Sequence, residues 1–418
     1  MTTTATSPAA GAAPRHHRLI TGLGIGQICS WGSLYYAFPQ IADAMARDLG
    51  HGKPALYGAA SVGLLAAGLA AIPVGTAIDR GHGRAVMAGG AVLAGLLLFV
   101  WSGIDSLMAL YLILAGLGVM QAATLYEPAF AVVARRTGPL QARRGITALT
   151  LWGGFASTVF IPLIQLLLDH LGWRNTLVVL GLINLLVSAP LYAWVIDRRG
   201  SAGAGPVPAR PAAMAGDTAG GGALRLALRR PVFWALALSF TAYAAVFSAF
   251  TFHLYPLLAE RGFATTAIVA AMAIIGPAQV AGRIAIWVLA PRASVRLIGM
   301  GVVAVFPAAL LLLWLAPPGF WAIAVVAVLY GAANGIMTIV RGLAVPEMIG
   351  PEAYGAVNGA LTAPSLIAKA LAPAGAAMLW GIGQSYDTVM PVLTAGSVLI
   401  AAGFWIAAVI GRPGRGGT

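Results

Sequence analysis

Two basic residues stand inside long apolar stretches of the sequence. Arg283 closes the run Gln279-Val-Ala-Gly-Arg283, and Lys369 is flanked by Ala, Leu and Ile residues. In a membrane helix each such charge costs about 2.5 to 3.5 kcal/mol on insertion scales. A charge at that cost normally faces a polar cavity and a partner. We therefore predict that Arg283, Lys369 and Gln279, one turn from Arg283, bind a substrate anion; a structural role for Arg283 is the alternative.

Lys369 is one of four polar residues that recur at intervals of four, three and four. They are Asn358, Thr362, Ser365 and Lys369. This spacing places them on one face of a helix. The stripe predicts a cavity-lining surface in which Ser365 also contacts the substrate. A helix-packing stripe around a neutral lysine is the alternative.

The first half of the chain has aromatic and amide side chains in its apolar stretches, and no basic residue there. Its candidate substrate ligands are Gln27, Trp31, Tyr35 and Gln121. Asn334 corresponds in the second half to Gln121, because each follows a Gly-rich helix start. Such groups suit a small carboxylate or an apolar tail. For the aromatic residues, plain packing is the alternative.

Glu127 is the one carboxylate well inside an apolar stretch, and Pro128 after it frees a backbone carbonyl one turn earlier. Arg341 stands at a similar depth in the second half. We predict that Glu127 and Arg341 form an ion pair that gates the substrate path, with proton carriage by Glu127 as the alternative. His253, near the end of its stretch, is predicted to be interfacial or hydrogen-bonded rather than a proton carrier.

The elements that must position these residues are membrane helices. Of the 418 residues, 60% are hydrophobic and only 9% are charged, and the mean hydropathy is +0.87. A soluble domain of ordinary composition needs far more charge, so lipid must surround this chain. A bilayer core about 30 Å thick needs ~20 apolar residues per helical span. The predicted spans are 19–42, 55–78, 84–103, 107–134, 145–168, 175–196, 231–257, 264–290, 297–317, 320–341, 355–381 and 389–411.

The longest polar segment divides these twelve spans into six and six. Residues 197–230 are rich in Ala, Gly, Pro and Arg, a composition typical of a flexible linker. We predict an N-terminal six-helix bundle in residues 1–196, a cytoplasmic linker in 197–230 and a C-terminal six-helix bundle in 231–418. The fold class is an all-α membrane protein.

The net charge of +13 reflects topology rather than nucleic-acid binding. With both termini inside, all but six of the 25 Lys and Arg residues lie at cytoplasmic helix ends and loops. This asymmetry is the positive-inside rule. It predicts a multi-pass protein of a bacterial inner membrane with both termini in the cytoplasm. Cys29 is the only cysteine, so an intramolecular disulfide is excluded.

Several function classes lack any supporting pattern. No metal-ligand spacing, nucleophile constellation or phosphate-binding loop occurs, since a phosphate loop needs a preceding strand and a following Lys-Ser or Lys-Thr. We therefore expect no cofactor, no ATP drive and no enzymatic activity. Secondary transport is the remaining interpretation, by a protein expected to be monomeric.

The loop between the second and third spans carries a recognisable signature. It reads Gly75-Thr-Ala-Ile-Asp79-Arg80-Gly81-His82-Gly83-Arg84, and its order and position resemble the signature loop of the major facilitator superfamily. The resemblance implies two bundles that rock about a central site by alternating access. It also implies that Asp79, Arg80 and Arg84 help to latch the cytoplasmic side.

Arg283 in span eight and Lys369 in span eleven together resemble the oxalate/formate antiporter branch, and Arg283 alone resembles the wider monocarboxylate porters. This resemblance implies a clamp on a carboxylate. Gln279 stands where monocarboxylate porters have an acid, so proton symport by that route is not implied. We expect transport of a small mono- or dicarboxylate, as exchanger or as symporter with a proton or counter-anion. A drug or metabolite exporter of the same fold is the alternative, although Leu151-Trp-Gly-Gly-Phe-Ala-Ser in span five lacks the Gly-Pro-rich pattern of drug antiporters.

Overall fold

A computed structural model describes residues 12–196, 225–290, 292–350 and 354–411, without the side chains of 12–16, 138–143 and 354–356. Regular structure within these ranges is entirely helical, with no β-strand. Residues 197–224 of the predicted linker lie outside the described residues.

Fourteen α-helices can be numbered along the described chain. In the first half they are α1 Ala12–Trp31, α2 Ala37–Leu49, α3 Lys53–Ala77, α4 Gly83–Ser102, α5 Leu107–Thr124, α6 Tyr126–Gly154, α7 Ala156–Ile183 and α8 Ala189–Val195. In the second half they are α9 Pro231–Glu260, α10 Thr265–Leu289, α11 Val295–Leu315, α12 Phe320–Met348, α13 Tyr354–Gly383 and α14 Val389–Ile410. Short π-helical turns link consecutive helices at Gly32–Tyr36, Ile78–His82 and Asn184–Ser188.

Nine segments of the described chain are long and apolar enough to cross a membrane, and two of them are double length. Lys53–Ser102 and Arg144–Val195 span 50 and 52 residues, which would measure about 75 Å as straight helices. Each turns back at a glycine with positive φ, Gly81 (94°) and Gly172 (72°), a conformation that side chains disfavour. The nine segments thus provide eleven crossings. The helical run from α1 to α2 provides the first, and the predicted twelve-span fold is confirmed.

Buried apolar side chains form separate cores in the two halves. Two clusters draw on residues before 197 and one large cluster draws on residues after 224. Among the buried members that are described, Ile161, Phe252, Ala370 and Ala377 pack into the core of the other half, and the partly buried Tyr36 packs against the second-half core. The separate cores make two six-helix bundles, which pack against each other mainly along α3 with α13 and along α7 with α10.

Span four, predicted over 107–134, is broken within its length. Leu125 has an extended backbone (φ −79°, ψ −156°), so α5 ends at Thr124 and α6 begins at Tyr126. Gln27 Nε2 donates hydrogen bonds to the carbonyls of Thr124 (2.8 Å) and Leu125 (3.3 Å). A freed carbonyl buried in a bundle needs such a partner. The hydrogen bonds from Gln27 of α1 therefore stabilise the break in span four.

Candidate functional site

A cavity of about 470 Å³ lies between the two halves. Its first-half wall comes from α1, the adjoining π-turn, α3, α5 and α6, and its second-half wall from α9, α12 and α13. It extends from Tyr35 and Lys369 to Gly342 and Asn358, toward the end of the bundle where α1 begins and α14 ends, which we call the near end. Two-sided construction from both bundles is the arrangement expected of an alternating-access site.

Three charged side chains from the described part of the chain line this cavity. Lys369 and Arg341 come from the second half and Glu127 from the first. Lys369 Nζ lies 5.4 Å from the centre of the Tyr35 ring, and the Arg341 guanidinium lies 5.6 Å from the ring centre of Tyr243. Two cations against one carboxylate leave the cavity with a net positive charge.

No ion pair within 4 Å joins Glu127 and Arg341 in the described part of the chain. The ion pairs found there connect Lys53 with Asp43, and Arg174 with Asp48 and Asp105. Glu127 is exposed to the cavity at the first turn of α6. The two residues share the cavity from opposite halves, and their pairing as a gate stays a prediction for another conformation.

The predicted polar stripe on span eleven faces the cavity with three of its four members. Asn358, Thr362 and Lys369 line it. Ser365 does not: it is buried, and its hydroxyl donates to the carbonyl of Leu361 (3.1 Å). Helix α13 therefore presents Lys369 and two neutral polar groups to the cavity.

The predicted amide and aromatic ligands of the first half have two different roles: three of them line the cavity, and one stabilises the fold. Trp31, Tyr35 and Gln121 line the cavity, and Gln121 Nε2 also donates to the carbonyl of Leu34 (2.8 Å). Gln27 is fully buried and lies outside the cavity lining, where it caps the broken span four. The sequence could not distinguish these two roles, because an amide in an apolar stretch satisfies either a ligand or a freed carbonyl.

Arg283 does not line the same cavity as Lys369. Its Nη1 donates to the carbonyl of Thr150 in the first half (2.9 Å), and its Nε donates to the carbonyl of Gly335 on α12 (3.2 Å). It thus links α10 to both α6 and α12. These backbone carbonyls are the polar partners that a charged side chain inside the membrane requires.

Gln279 and Asn334 line a second, smaller cavity of about 30 Å³. Asn334 is buried, and its Oδ1 accepts a hydrogen bond from the Tyr243 hydroxyl. A space this small holds about one water molecule, so these two residues do not reach a substrate in the larger cavity in this conformation.

The predicted latch residues lie at the near end. Asp79 lines a neighbouring cavity of about 290 Å³ that Glu127 also borders. Arg135 Nη1 donates to the backbone carbonyl of Asp79 (2.7 Å) rather than to its carboxylate. Arg80 is exposed, and Arg84 lies beside Arg135. Their latching role stays a prediction.

The sequence missed a contact network that closes the opposite end, where α3 begins and α9 ends; we call this the far end. His253 is fully buried and stacks on Tyr57 of the other half, with ring centres 4.2 Å apart. Its Nε2 contacts the carbonyl of Pro373 (2.9 Å) and its Nδ1 contacts the Tyr386 hydroxyl (2.8 Å). Since a carbonyl only accepts, Nε2 carries the proton and Nδ1 accepts from Tyr386. His253 is therefore hydrogen-bonded, as one sequence interpretation held.

Three further hydrogen bonds join the halves. The Tyr57 hydroxyl donates to the carbonyl of Phe252 (3.2 Å), and Ser61 Oγ accepts from the Ala374 N–H (3.1 Å). Along a second seam, Thr158 Oγ1 of α7 donates to the carbonyl of Ala273 on α10 (2.9 Å). The conformation is closed at the far end, and the cavity reaches toward the near end.

Twelve membrane spans in two bundles, with a charged cavity between them and a closed far end, define a membrane transporter. Residues 23–373 match the family model of the Major Facilitator Superfamily. The chain belongs to this superfamily, as its loop signature predicted. Its members are transporters and not enzymes.

Curated relatives include a human protein and a bacterial one. The chain is 31% identical over 403 residues to monocarboxylate transporter 11 of Homo sapiens, which covers 91% of this chain and 73% of that protein. It is 33% identical over 193 residues to an MFS-type efflux pump of Mycolicibacterium smegmatis, across 46% of this chain and 42% of that protein.

Solved structures share the fold at low identity. The nucleoside transporter NupG has a TM-score of 0.72 at 15% identity, covering 94% of this chain and 98% of that one. A bacterial homologue of the human lysosomal transporter Spinster, in an inward-facing, unoccupied conformation, has a TM-score of 0.70 at 16% identity, covering 96% and 98%. These likenesses establish the architecture alone.

Proposed function

We propose that this protein is a secondary transporter that moves a small organic monocarboxylate by alternating access, as exchanger or symporter. The observation that carries the proposal is the charge of the cavity. Lys369 and Arg341 face it from the second half, and among the described residues only Glu127 opposes them. One surplus positive charge suits a monoanion better than a dianion, because an unpaired charge in a low-dielectric site is costly. The likeness to monocarboxylate transporter 11 supports the same class.

In this proposal Lys369 and Arg341 hold the carboxylate. The Lys369 ammonium acts as a point charge, and the Arg341 guanidinium provides a planar pair of donors. Each cation now contacts an aromatic ring, a weaker interaction than a close carboxylate provides. Arg283, predicted from the sequence as the second ligand, instead braces the bundles in this conformation.

The proposal also assigns each end of the protein to one side of the membrane. The near end is cytoplasmic, as the distribution of Lys and Arg predicts, and the present conformation is then inward-open. Under the same reasoning the protein resides in a bacterial inner membrane. Substrate binding and far-end closure alternate as the bundles rock.

Thermal stability of the purified protein tests the proposal. A ligand that binds only the folded state raises stability by RT ln(1 + [L]/Kd). Lactate and 3-phenyllactate are expected to raise the melting temperature, whereas their neutral amides leave it unchanged. Stabilisation by the amides alone, or by lipophilic cations alone, contradicts the proposal.

One observation favours export of a cationic drug or metabolite as a second candidate. Glu127 is an exposed carboxylate in the first-half wall of the cavity, and one relative of partial coverage is an efflux pump. In that case lipophilic cations stabilise the parent and lose this effect in Glu127→Gln. The net charge of the cavity makes this the weaker candidate.

A further inference from the structure

The first-half wall of the cavity is a continuous run of aromatic rings. Trp31 and Tyr126 have ring centres 5.0 Å apart, and Tyr126 and Phe130 stack at 5.1 Å with planes 13° apart. Trp31 also meets Tyr35 edge-on at 5.1 Å. All four residues line the cavity, and Trp31, Tyr126 and Phe130 are only partly buried. Their faces and edges are therefore available to a ligand.

The chemistry of the cavity is different on its two sides. The aromatic run belongs to the first half. The cations Lys369 and Arg341 belong to the second, together with Phe240, and Lys369 lies beside Tyr35 at one end of the run. Beside the aromatic run, α3 adds only apolar or small side chains, from Leu64 to Ala71. Glu127 stands on the aromatic side and repels a carboxylate from it. A ligand with a charged end and an apolar body is thereby oriented across the space.

The cavity is larger than the smallest carboxylates need. Its volume is about 470 Å³, which leaves room for a ring beside the carboxylate. A ring-bearing acid can cover the apolar wall, whereas a three-carbon acid leaves most of that wall in contact with water.

We propose that the transported monocarboxylate carries an aromatic body, which packs on Trp31, Tyr126 and Phe130 while its carboxylate contacts Lys369 and Arg341. The inference rests on the proposed function and specifies its substrate class. Aromatic side chains prefer edge-on or offset contacts with other rings at 4.5 to 7 Å, the spacing that the wall already has. Specificity then comes from the first half and charge recognition from the second.

Binding of a matched ligand series to the full-length protein in nanodiscs tests this proposal. Isothermal titration is run with lactate, 3-phenyllactate and 3-cyclohexyllactate. We expect 3-phenyllactate to bind at least about tenfold tighter than lactate and severalfold tighter than the saturated analogue. Trp31→Leu and Tyr126→Leu should each remove most of the preference for the phenyl group. Trp321→Leu is the control, because Trp321 is 79% exposed on α12 and lies outside the cavity lining.

The outcomes separate this inference from the proposed function. Equal affinities for lactate and 3-phenyllactate in the parent overturn the aromatic substrate class and leave carboxylate transport standing. Tight binding of neutral 3-phenyllactamide overturns the carboxylate function itself. A folded Trp31→Leu or Tyr126→Leu protein that keeps the full phenyl preference overturns the placement of the ring. If neither variant folds, the affinity ratio in the parent still decides.

Discussion

Replacing Lys369 with Met removes one cavity charge while conserving most of the side-chain volume. A carboxylate about 4 Å from the ammonium is attracted by about 4 kcal/mol at an effective dielectric constant of 20. Exchange of water lowers the net value of a charged hydrogen bond to about 1.5 to 3 kcal/mol. A loss of about 2 kcal/mol corresponds to about 30-fold weaker binding. We expect that increase in the Kd for 3-phenyllactate, measured by isothermal titration.

Lys53→Met is the matched control, since Lys53 is the only other lysine in the chain. Its Nζ lies 3.6 Å from the Asp43 carboxylate and 4.4 Å from the centre of the Trp380 ring, at the far end. Lys53 is partly buried and lies outside the cavity lining. Loss of a cation–π contact of about 1 kcal/mol corresponds to about fivefold in an equilibrium constant, so the control should change Kd by less than that. Lys369→Arg should be milder than Lys369→Met. A folded Lys369→Met protein with the parent Kd refutes the assignment of Lys369.

Three further predictions follow from other contacts. Arg283→Lys should slow exchange by about tenfold but leave the Kd nearly unchanged, because an ammonium cannot bridge Thr150 and Gly335 as the guanidinium does. An increase in Kd as large as that of Lys369→Met would make Arg283 the anion ligand predicted from the sequence. Glu127→Gln and Arg341→Gln should each slow exchange in proteoliposomes. If the two residues pair during the cycle, the loss in the double variant should be smaller than the two single losses combined, whereas additive losses argue against a pair. Deletion of much of residues 200–220 should leave folding and uptake intact, since a flexible linker needs enough length rather than a defined structure. Loss of the monodisperse protein in gel filtration would exclude a simple linker.

Much of the architecture could be predicted from the sequence because few backbone structures can span a lipid bilayer. Apolar stretches of sufficient length become helices, since every backbone group must be satisfied internally. The same reasoning failed at Leu125, where the helix breaks and Gln27 satisfies the freed carbonyls. That contact joins residues 97 positions apart, and no local pattern reports it. Pro128 was the only signal near the break.

The candidate site could be predicted in part. Helical spacing placed Asn358, Thr362 and Lys369 on one face, and these three residues line the cavity; their contact with substrate stays a prediction. The free-energy cost of a charge in the membrane indicates that Arg283 needs polar partners. Those partners are backbone carbonyls, which occur in every helix, so the sequence could not identify them. Whether a polar residue faces ligand or scaffold depends on how the bundles tilt, and side-chain types alone do not encode that.

The far-end closure shows the same limit. His253 stood out in the sequence, but its partners Tyr57, Pro373 and Tyr386 come from three separate helices or their ends. Tyr57 belongs to the other bundle. The relative position of the bundles places Tyr57 on His253, and packing within the second bundle brings Pro373 and Tyr386 to the same ring. Their sequence positions could not indicate a shared cluster.

Counterflow in proteoliposomes tests the central claim most directly, because it reports alternating access with either exchange or symport. Vesicles loaded with unlabelled 3-phenyllactate are diluted into labelled 3-phenyllactate, and lactate is run in parallel. We predict a transient accumulation of label above its equilibrium level in the parent, reduced strongly in Lys369→Met and retained in Lys53→Met. Absence of any overshoot with either acid, from reconstituted protein that still melts cooperatively, would contradict carboxylate transport.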